Sequence, residues 1–599
     1  MDIFKKLNYI FDRKQKWQTL GLFALIVLGT VFELLGVSTV QPLINAIMDR
    51  DDLSERGGIY TFVYHLFHLQ NSTQLILVLM GLLIAVYVVK NVYLIFMYRQ
   101  QYKYIYSNMR FLSTRMMKSY LSRPYSYFIE KSSAELLRNI NQDTADFFGV
   151  IQAAVQLMTE GLVVCALILY LFIKDKTITV AVGVLLGLLI LVFQKLYKKR
   201  LLRRGELNRE YEAQVNKWIQ QAFGGIKEVK VMNREEFFFR EYDKAYQGRV
   251  HSEYSYHTMV AIPKPIIEAA AMGSMLGAAF LKIATGVNLA YFIPTLSLFV
   301  VAAYRLLPSF NRITEYMGTI AYQMPAVTAI YEHLREIEEE EEKKGSAGSG
   351  ETKGAKSNAD SSLTGTREKI ALGDGIRIKD LSYRYPNADR LVLNHLNLSI
   401  RTNTSAAFIG QSGAGKTTLA DLILGVLEPS SGDILAGGTR ISDDLSRWHQ
   451  TIGYVPQNIY LLDDTIEANI AFGIPKEQID RARIEKAIDR AQLRKTIEEL
   501  PEGTQTVVGE RGIRFSGGQR QRIGIARALY AEPEVLVLDE ATSALDNETE
   551  AAVMEAIDAL HGEMTLIIIA HRLSTIQNCD VVYEIADGKA VCRAKDNVG

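Results

Sequence analysis

Apolar stretches long enough to cross a bilayer recur through the first 320 positions of the chain and then stop. A crossing needs about 20 consecutive, mostly apolar residues in helical form, because backbone polar groups within hydrocarbon must be satisfied internally. Six spans are expected, near 17–45, 73–98, 150–173, 176–198, 259–282 and 289–315. An even number places both termini on one side. Segments 97–123 (Arg99, Lys103, Arg110, Arg115, Lys118, Arg123) and 195–240 (Lys198, Lys199, Arg200, Arg203, Arg204) are basic. The intervening loops are short or acidic, as at Asp51, Asp52 and Glu55. The positive-inside bias therefore puts both termini in the cytoplasm. Met1 to Lys16 is basic and polar, and the apolar run after it is too long for a signal core and lacks a small-residue cleavage site. It reads as a retained anchor.

The basic segments continue the helical pattern beyond what a bilayer needs, so these helices are expected to run on into the cytoplasm. Two breaks, Arg123-Pro124-Tyr125-Ser126-Tyr127-Phe128 and Phe223-Gly224-Gly225-Ile226-Lys227-Glu228, fall where hairpin tips would lie. They suit either short transverse helices able to touch a cytoplasmic domain or plain helix–loop–helix connections. On the other side, Ile59, Phe62, Val63, Leu66 and Phe67 share one helical face. That segment is too short to span, which leaves two readings: a helix in the outer headgroup layer, or one packed on the outer ends of the bundle.

With 599 residues the chain exceeds one domain, and its 67 basic and 67 acidic side chains cancel, so no global charge favours nucleic acid. Cys165, Cys579 and Cys592 lack metal-ligand spacing and read as unpaired thiols. Residues 1–337 are assigned to an all-α, six-helix transmembrane domain with cytoplasmic helix extensions. Residues 338–369, rich in Gly, Ser, Ala, Thr, Glu and Lys, cannot bury a core and are expected to be a flexible linker. From 370 to 599 short β-rich runs alternate with helical ones, as in an α/β domain.

Gly410-Gln411-Ser412-Gly413-Ala414-Gly415-Lys416-Thr417-Thr418 fits the pattern G-x-x-x-x-G-K-[ST], after the strand-like Ser405–Ile409 and before a helical run. Glycines let backbone N–H groups turn toward phosphates, the helix N-terminus adds its dipole, and Lys416 brings a charge to the β and γ phosphates. Thr417 would ligate Mg²⁺. Glu534 to Glu540 reads as a buried parallel strand delivering two acids at its end, with Asp539 suited to holding Mg²⁺ and Glu540 to polarising an attacking water.

Phe515-Ser516-Gly517-Gly518-Gln519-Arg520-Gln521-Arg522, just upstream of that strand, resembles the signature of ATP-binding-cassette proteins. Other marks of the family match: Tyr385, Gln457 within Tyr454-Val455-Pro456-Gln457, Asp546 within Ser543-Ala544-Leu545-Asp546, and His571 after a strand. Thr506 to Gly512 resembles the loop by which exporters of this family meet the hairpin tips. The resemblance spans the whole chain and implies an exporter half-transporter that binds ATP and Mg²⁺ and hydrolyses ATP to drive transport. It implies that Tyr385 stacks on adenine, that Gln457 joins Thr417 and Asp539 around the metal, that Ser516, Gly517, Gly518 and Gln519 face nucleotide across a dimer, and that His571 orients the γ-phosphate beside Glu540. Phe515 departs from the usual leucine without touching the phosphate-facing groups. One set of motifs cannot sandwich two nucleotides, so a second copy is expected, with the hairpin tips acting as coupling helices.

Basic residues inside spans cost about 2.5–3.5 kcal/mol on insertion scales and mark function by default. Lys90, Lys264, Arg305 and Arg312 are the candidates, and they would give a basic, inner-leaflet-facing cavity for an anionic head such as pyrophosphate. Glu33, Glu160 and Glu268 could instead pair with them. The strings Ala303–Ile313 and Ile452–Leu461, with the outer amphipathic segment, resemble PglK-type flippases of bacterial protein glycosylation. That resemblance implies a lipid-linked, anionic oligosaccharide moved from the inner to the outer leaflet of the bacterial cytoplasmic membrane. The rivals are an exporter of drugs, lipid A or peptides, with a more apolar cavity, and an ATP-gated membrane regulator that transports nothing.

Overall fold

The computed structural model describes residues 10, 12–48, 60, 63, 66–69, 71–174, 176–284, 289–347, 369–386, 388–509, 512–540, 547–570 and 576–593. The chain divides into two compact units, one of residues 1–123 and 130–353 and the other of 124–129 and 354–599.

The first unit is helical. Its elements are α1 (Arg13–Ser38), α2 (Val40–Met48) and α3 (Ser72–Leu121). After the short α4 (Tyr125–Glu130), which as far as Ile129 groups with the second unit, come α5 (Ser133–Arg138), α6 (Thr144–Lys174) and α7 (Lys176–Gly224). A second short helix, α8 (Ile226–Val231), precedes α9 (Glu235–Ala261), α10 (Pro263–Ala284) and α11 (Leu289–Ala347). At 1.5 Å per residue, the 50 residues of α3 extend ~75 Å, more than twice the hydrocarbon thickness. The expected extensions beyond the bilayer are therefore present as unbroken helix. The two breaks in the basic segments carry short helices, α4 and α8, rather than loops.

Among the described residues, four stretches are long and apolar enough to cross a membrane: Arg13–Ile47, Thr73–Leu121, Ser133–Lys174 and Glu235–Gly277. They contain the first, second, third and fifth expected spans, the fifth except for its last residues. The fourth and sixth fall on α7 and α11, where part of the apolar run lies outside the residues whose side chains are described.

Packing in this unit is tightest where glycines admit a neighbour. A Cβ at Gly205 of α7 would overlap the backbone carbonyl of Tyr322 on α11, and one at Gly318 would lie 2.8 Å from Val260 Cγ2. Within the bundle, Val163, Leu167, Ile267, Ala302 and Phe310 are buried together. Between α5 and α6, Asn139–Asp143 form one π-helical turn. Asp143, 1 % exposed, takes both arms of Arg209 from α7 at 2.9 Å, which ties two helix extensions together.

Of the outer amphipathic segment, Ile59 and Phe62 lie outside the described residues. Val63 is buried with Ala46, Leu75 and Leu79, and the Tyr60 hydroxyl donates to the Pro42 carbonyl at 3.2 Å, so this part packs on the bundle. Leu66 and Phe67 are exposed. The expected linker start at 338 is corrected: α11 continues to Ala347. Its Glu- and Lys-rich sequence is made of good helix formers, and Arg335 bridges Glu339 one turn on at 2.6 Å. Residues 348–368 lie outside the described residues.

The second unit holds two sheets. Strands β1 (Ile376–Tyr383), β2 (Leu393–Ile400), β4 (Ser431–Ala436) and β5 (Thr439–Arg440) form an antiparallel sheet in the order β2-β1-β4-β5. The other sheet uses β3 (Ser405–Ile409), β6 (Ile452–Val455), β7 (Val535–Asp539), β8 (Thr565–Ile569), β9 (Val581–Ala586) and β10 (Lys589–Arg593). Its order is β10-β9-β3-β8-β7-β6, parallel except for β10. β7 and β8 are buried at every residue, which is why they read as continuous apolar runs in the sequence. Cys165, Cys579 and Cys592 form no disulfide among the described residues, and Cys579 is buried.

Candidate functional sites

At the C-terminal end of β3 the chain turns through Gly410 (φ +142°), Gly413 (+81°) and Gly415 (+100°) into α12 (Lys416–Ile423). These backbone conformations are ones that L side chains rarely adopt, and a Cβ at Gly410 would overlap the Ile585 carbonyl. The loop thus needs glycine at the positions where the sequence has it. Lys416, 5 % exposed, reaches back to donate to the carbonyls of Gly410 (2.9 Å) and Gln411 (3.0 Å). Burial pushes its ammonium below the ordinary lysine range, while Glu540 and Asp539 support the charge.

Asp539 is buried as the last residue of β7, which pairs with β8, itself paired with β3. Glu540 follows it with φ +47°, a left-handed conformation that costs a non-glycine residue on the order of 1 kcal/mol and here turns the chain sharply after the strand. Its carboxylate accepts from Gln457 Nε2 at 2.7 Å. Topology therefore brings Lys416, Gln457, Asp539 and Glu540 together from three segments of the chain. Thr417 is exposed, whereas Thr418 is buried and shares a 3.1 Å hydrogen bond with the Tyr385 hydroxyl. Tyr385 is half-buried edge-on against Tyr383, ring centroids 5.1 Å apart. Ser412 is exposed and Ala414 half-buried in the loop.

Ser516 to Gln519 occupy a helix start, that of α13 (Gly517–Tyr530). Here the Gln519 N–H donates to Ser516 Oγ (3.3 Å) and the Ser516 N–H to Gln519 Oε1 (2.9 Å), a reciprocal cap. Phe515 is 7 % exposed within the core that includes Leu461 and Ile523, so the unusual aromatic anchors this helix start from inside. Asp546 and His571 lie outside the described residues, as do Glu510 and Arg511 of the exporter-type loop.

The residues present fit a nucleoside triphosphate with a divalent cation. A glycine-shaped loop at a helix N-terminus, a buried ammonium within it and two adjoining carboxylates supply donors for phosphate and oxygen ligands for a metal. Sequence reasoning did not single out Asp421 on α12. Burial, and secondarily Asp539, push its carboxyl up to about 6. Its only sequence signal is a lone acid on an otherwise apolar helix face.

In the helical unit, three of the four candidate bases converge. Lys90 pairs with Glu33 at 3.2 Å, and Arg305 Nε reaches the same carboxylate at 3.1 Å. Arg305 Nη1 also donates to Ser309 Oγ at 2.9 Å, Ser309 donates to Glu160 at 2.6 Å, and Arg312 meets the other oxygen of Glu160 at 2.7 Å. The pairing alternative raised for Glu33 and Glu160 is thus realised, across α1, α3, α6 and α11. Three bases face two acids, leaving one positive charge in excess, and Arg312 is the most open member, its side chain 46 % exposed. Glu268 meets Asn311 only at 3.5 Å. Lys264 stands apart, exposed and without an ion pair to a described residue. Ser309, one helical turn from Arg305, is the member that sequence reasoning missed.

Residues 19–301 match the family described as ABC transporter transmembrane region, and residues 393–543 match the family described as ABC transporter. The chain is 32 % identical over 489 residues to a protein of Cupriavidus metallidurans named ATP-dependent lipid A-core flippase, covering 79 % of this chain and 77 % of that one. A protein of the same name from Alkalilimnicola ehrlichii is 31 % identical, with 80 % and 77 % covered. The structure of a bacterial Atm1-family ABC exporter with ATP bound superposes with a TM-score of 0.74 over 97 % of this chain and 95 % of that chain, at 20 % identity. The narrower resemblance to PglK-type flippases is not repeated in the names of these relatives. What the two families, the relatives and the fold share is the half-exporter plan, and the chain belongs to the ATP-binding-cassette transporters, an ATP hydrolase that couples hydrolysis to export across a membrane.

Proposed function

We propose that two copies of the chain form a flippase that moves an anionic, lipid-linked saccharide from the inner to the outer leaflet of a bacterial cytoplasmic membrane. The observation that carries this reading is the cluster of Lys90, Arg305 and Arg312 on Glu33 and Glu160. Burying five charges in a membrane bundle is costly, and the excess positive charge ends on Arg312, the member most open to a ligand. A purely structural lock would balance its charges. An anionic head meeting Arg312 completes the balance, and Lys264 on α10 adds a second exposed cation. The relatives' names, which speak of lipid flipping, support the lipid part of the reading. They also make a lipid A-type glycolipid the second reading for the cargo.

ATP bound with Mg²⁺ supplies the free energy of phosphoryl transfer. Lys416 and the N–H groups of the Gly410–Gly415 loop hold the phosphates, and Tyr385 offers its ring to the base. Thr417, Asp539 and Gln457 would hold the metal, and Glu540 would accept the proton of the attacking water. Gln457 bonds to Glu540 directly, so a displacement of the Gln457 segment is felt at the base. Ser516, Gly517, Gly518 and Gln519 of the second copy complete each site, and the family resemblance assigns Asp546 and His571 to the same nucleotide. In this reading the hairpin-tip helices α4 and α8 are the coupling helices that the family resemblance implies, and both termini face the cytoplasm.

The test is translocation of a pyrophosphate-linked lipid oligosaccharide in proteoliposomes. Arg305→Ala/Arg312→Ala should abolish it while ATP binding persists; full transport by that variant overturns the reading. Competition by lipid A-type glycolipid in the same assay, with no effect of the pyrophosphate-linked lipid, decides for the second reading.

A further inference from the structure

On another face of α11, away from the ion cluster, a cavity of about 980 Å³ opens between α6, α7, α9, α10 and α11. Small-molecule sites run to about 1,000 Å³, so this one has room for a large amphiphile. Its wall is apolar, with Leu157, Ile190, Leu202, Met259 and Met317 among the lining residues. The exception is α7, which brings Lys195, Lys198 and Lys199 to the same cavity, one helical turn of ammonium groups. None of the three pairs with a carboxylate among the described residues. Below them α7 and α11 close on each other, because Gly205 lies directly against the Tyr322 carbonyl.

Depth in the bilayer identifies the occupant. On the spans and the inward-facing termini expected from the sequence, Lys195–Lys199 stand at the cytoplasmic end of the span that begins α7, and Met259 and Thr314 at the cytoplasmic ends of theirs. The lysines are therefore at inner-leaflet headgroup level, with the apolar wall at acyl-chain level. We propose that this cavity holds a resident anionic phospholipid of the inner leaflet, its phosphate on Lys195, Lys198 and Lys199 and its chains against α10 and α11. Basic side chains at this level favour anionic over zwitterionic lipid by roughly fivefold each. The site shares no residue with the ion cluster and stands whether or not the cargo reading holds.

The full-length protein is reconstituted in nanodiscs of phosphatidylglycerol and phosphatidylethanolamine, released into detergent, and its retained lipids are counted by native mass spectrometry. Phosphatidylglycerol should be retained at least tenfold above its share of the bilayer. Lys195→Gln/Lys198→Gln/Lys199→Gln should abolish that excess, the corresponding triple Arg variant should keep it, and Leu202→Trp, which narrows the cavity beside the lysines, should reduce the retained lipid. Arg312→Ala should retain it. The proposal is overturned if wild-type lipids follow the bilayer ratio, if the triple Gln variant retains as much phosphatidylglycerol as wild type, or if ATP turnover releases the lipid, which would make it cargo.

Discussion

Arg305→Ala should destabilise the helical unit more than Arg312→Ala, although both remove one arginine from the same cluster. Arg305 bridges the two carboxylates, with Nε 3.1 Å from Glu33 and Nη1 3.6 Å from Glu160 and 2.9 Å from Ser309 Oγ. Its side chain is 20 % exposed, and the carboxylates are 9 % and 5 % exposed. Removing one partner of a buried pair costs about 3–5 kcal/mol. The lower end, about 3 kcal/mol, applies here because Glu33 keeps Lys90 and Glu160 keeps Arg312. Arg312 makes one contact and is 46 % exposed, so solvent screening reduces its loss to about 1 kcal/mol. The assay is the thermal midpoint of purified protein in nanodiscs, followed by intrinsic fluorescence, with the expected order wild type, Arg312→Ala, Arg305→Ala. Pairing Arg305→Ala with Glu33→Gln removes both partners of the 3.1 Å pair and should recover at least about 1 kcal/mol relative to additivity. Equal midpoints for the two arginine variants, or strict additivity of the pair, would refute the assignment of Arg305 as the bridge.

Three further outcomes are expected. Glu540→Gln should lower steady-state phosphate release about 10²–10⁴-fold while ATP binding stays, since the amide still accepts from Gln457 but takes no proton; undiminished turnover contradicts its role as base. Asp421, held up to about 6 mainly by burial, binds a proton in the folded state between about pH 4 and 6 that the unfolded chain has released. Its contribution is full below about pH 4 and lost as pH rises through 6, so Asp421→Asn should flatten stability over that window and gain about 1–2 kcal/mol at pH 7 after allowance for its partial exposure, read from nucleotide-free melts at both pH values. Gly205→Ala should cost about 1–3 kcal/mol by prising α7 from α11, seen as a lower melting midpoint.

The nucleotide site was legible because its chemistry requires a contiguous backbone path. A loop that presents N–H groups to phosphate must place glycine where φ is positive, and Gly410, Gly413 and Gly415 mark those places one by one. Asp539 and Glu540 were legible for a related reason: a doubly buried strand admits acids only at its end. The span pattern was equally plain, since the bilayer fixes a minimum run of apolar residues. The expected linker start was misplaced because composition alone does not separate a charged helix end from a coil, and the i,i+4 pairing that decides it, Arg335 with Glu339, spans the boundary between the two textures.

The ion cluster shows where such reading stops. Lys90, Arg305 and Arg312 could be named as costly charges in apolar runs, and Glu33 and Glu160 as possible partners, each from its own helix. Which acid meets which base depends on helix rotation and on contacts separated by 57, 149 and 272 positions, as in Lys90 with Glu33, Ser309 with Glu160 and Arg305 with Glu33. No local pattern encodes them. The same limit hides Asp143 with Arg209 from the sequence, though that pair ties two helix extensions into one piece. Pairing also changes what the charges mean. Four free cations would form an anion trap of any geometry, whereas a cluster of three bases on two acids offers a single surplus charge, presented on the most open of its members. Under the proposed function, discrimination among lipid heads rests on Arg312 and the exposed Lys264 rather than on all four bases. Charge-preserving Arg312→Lys, which loses the planar fork, should therefore weaken cargo transport more than Lys264→Arg does.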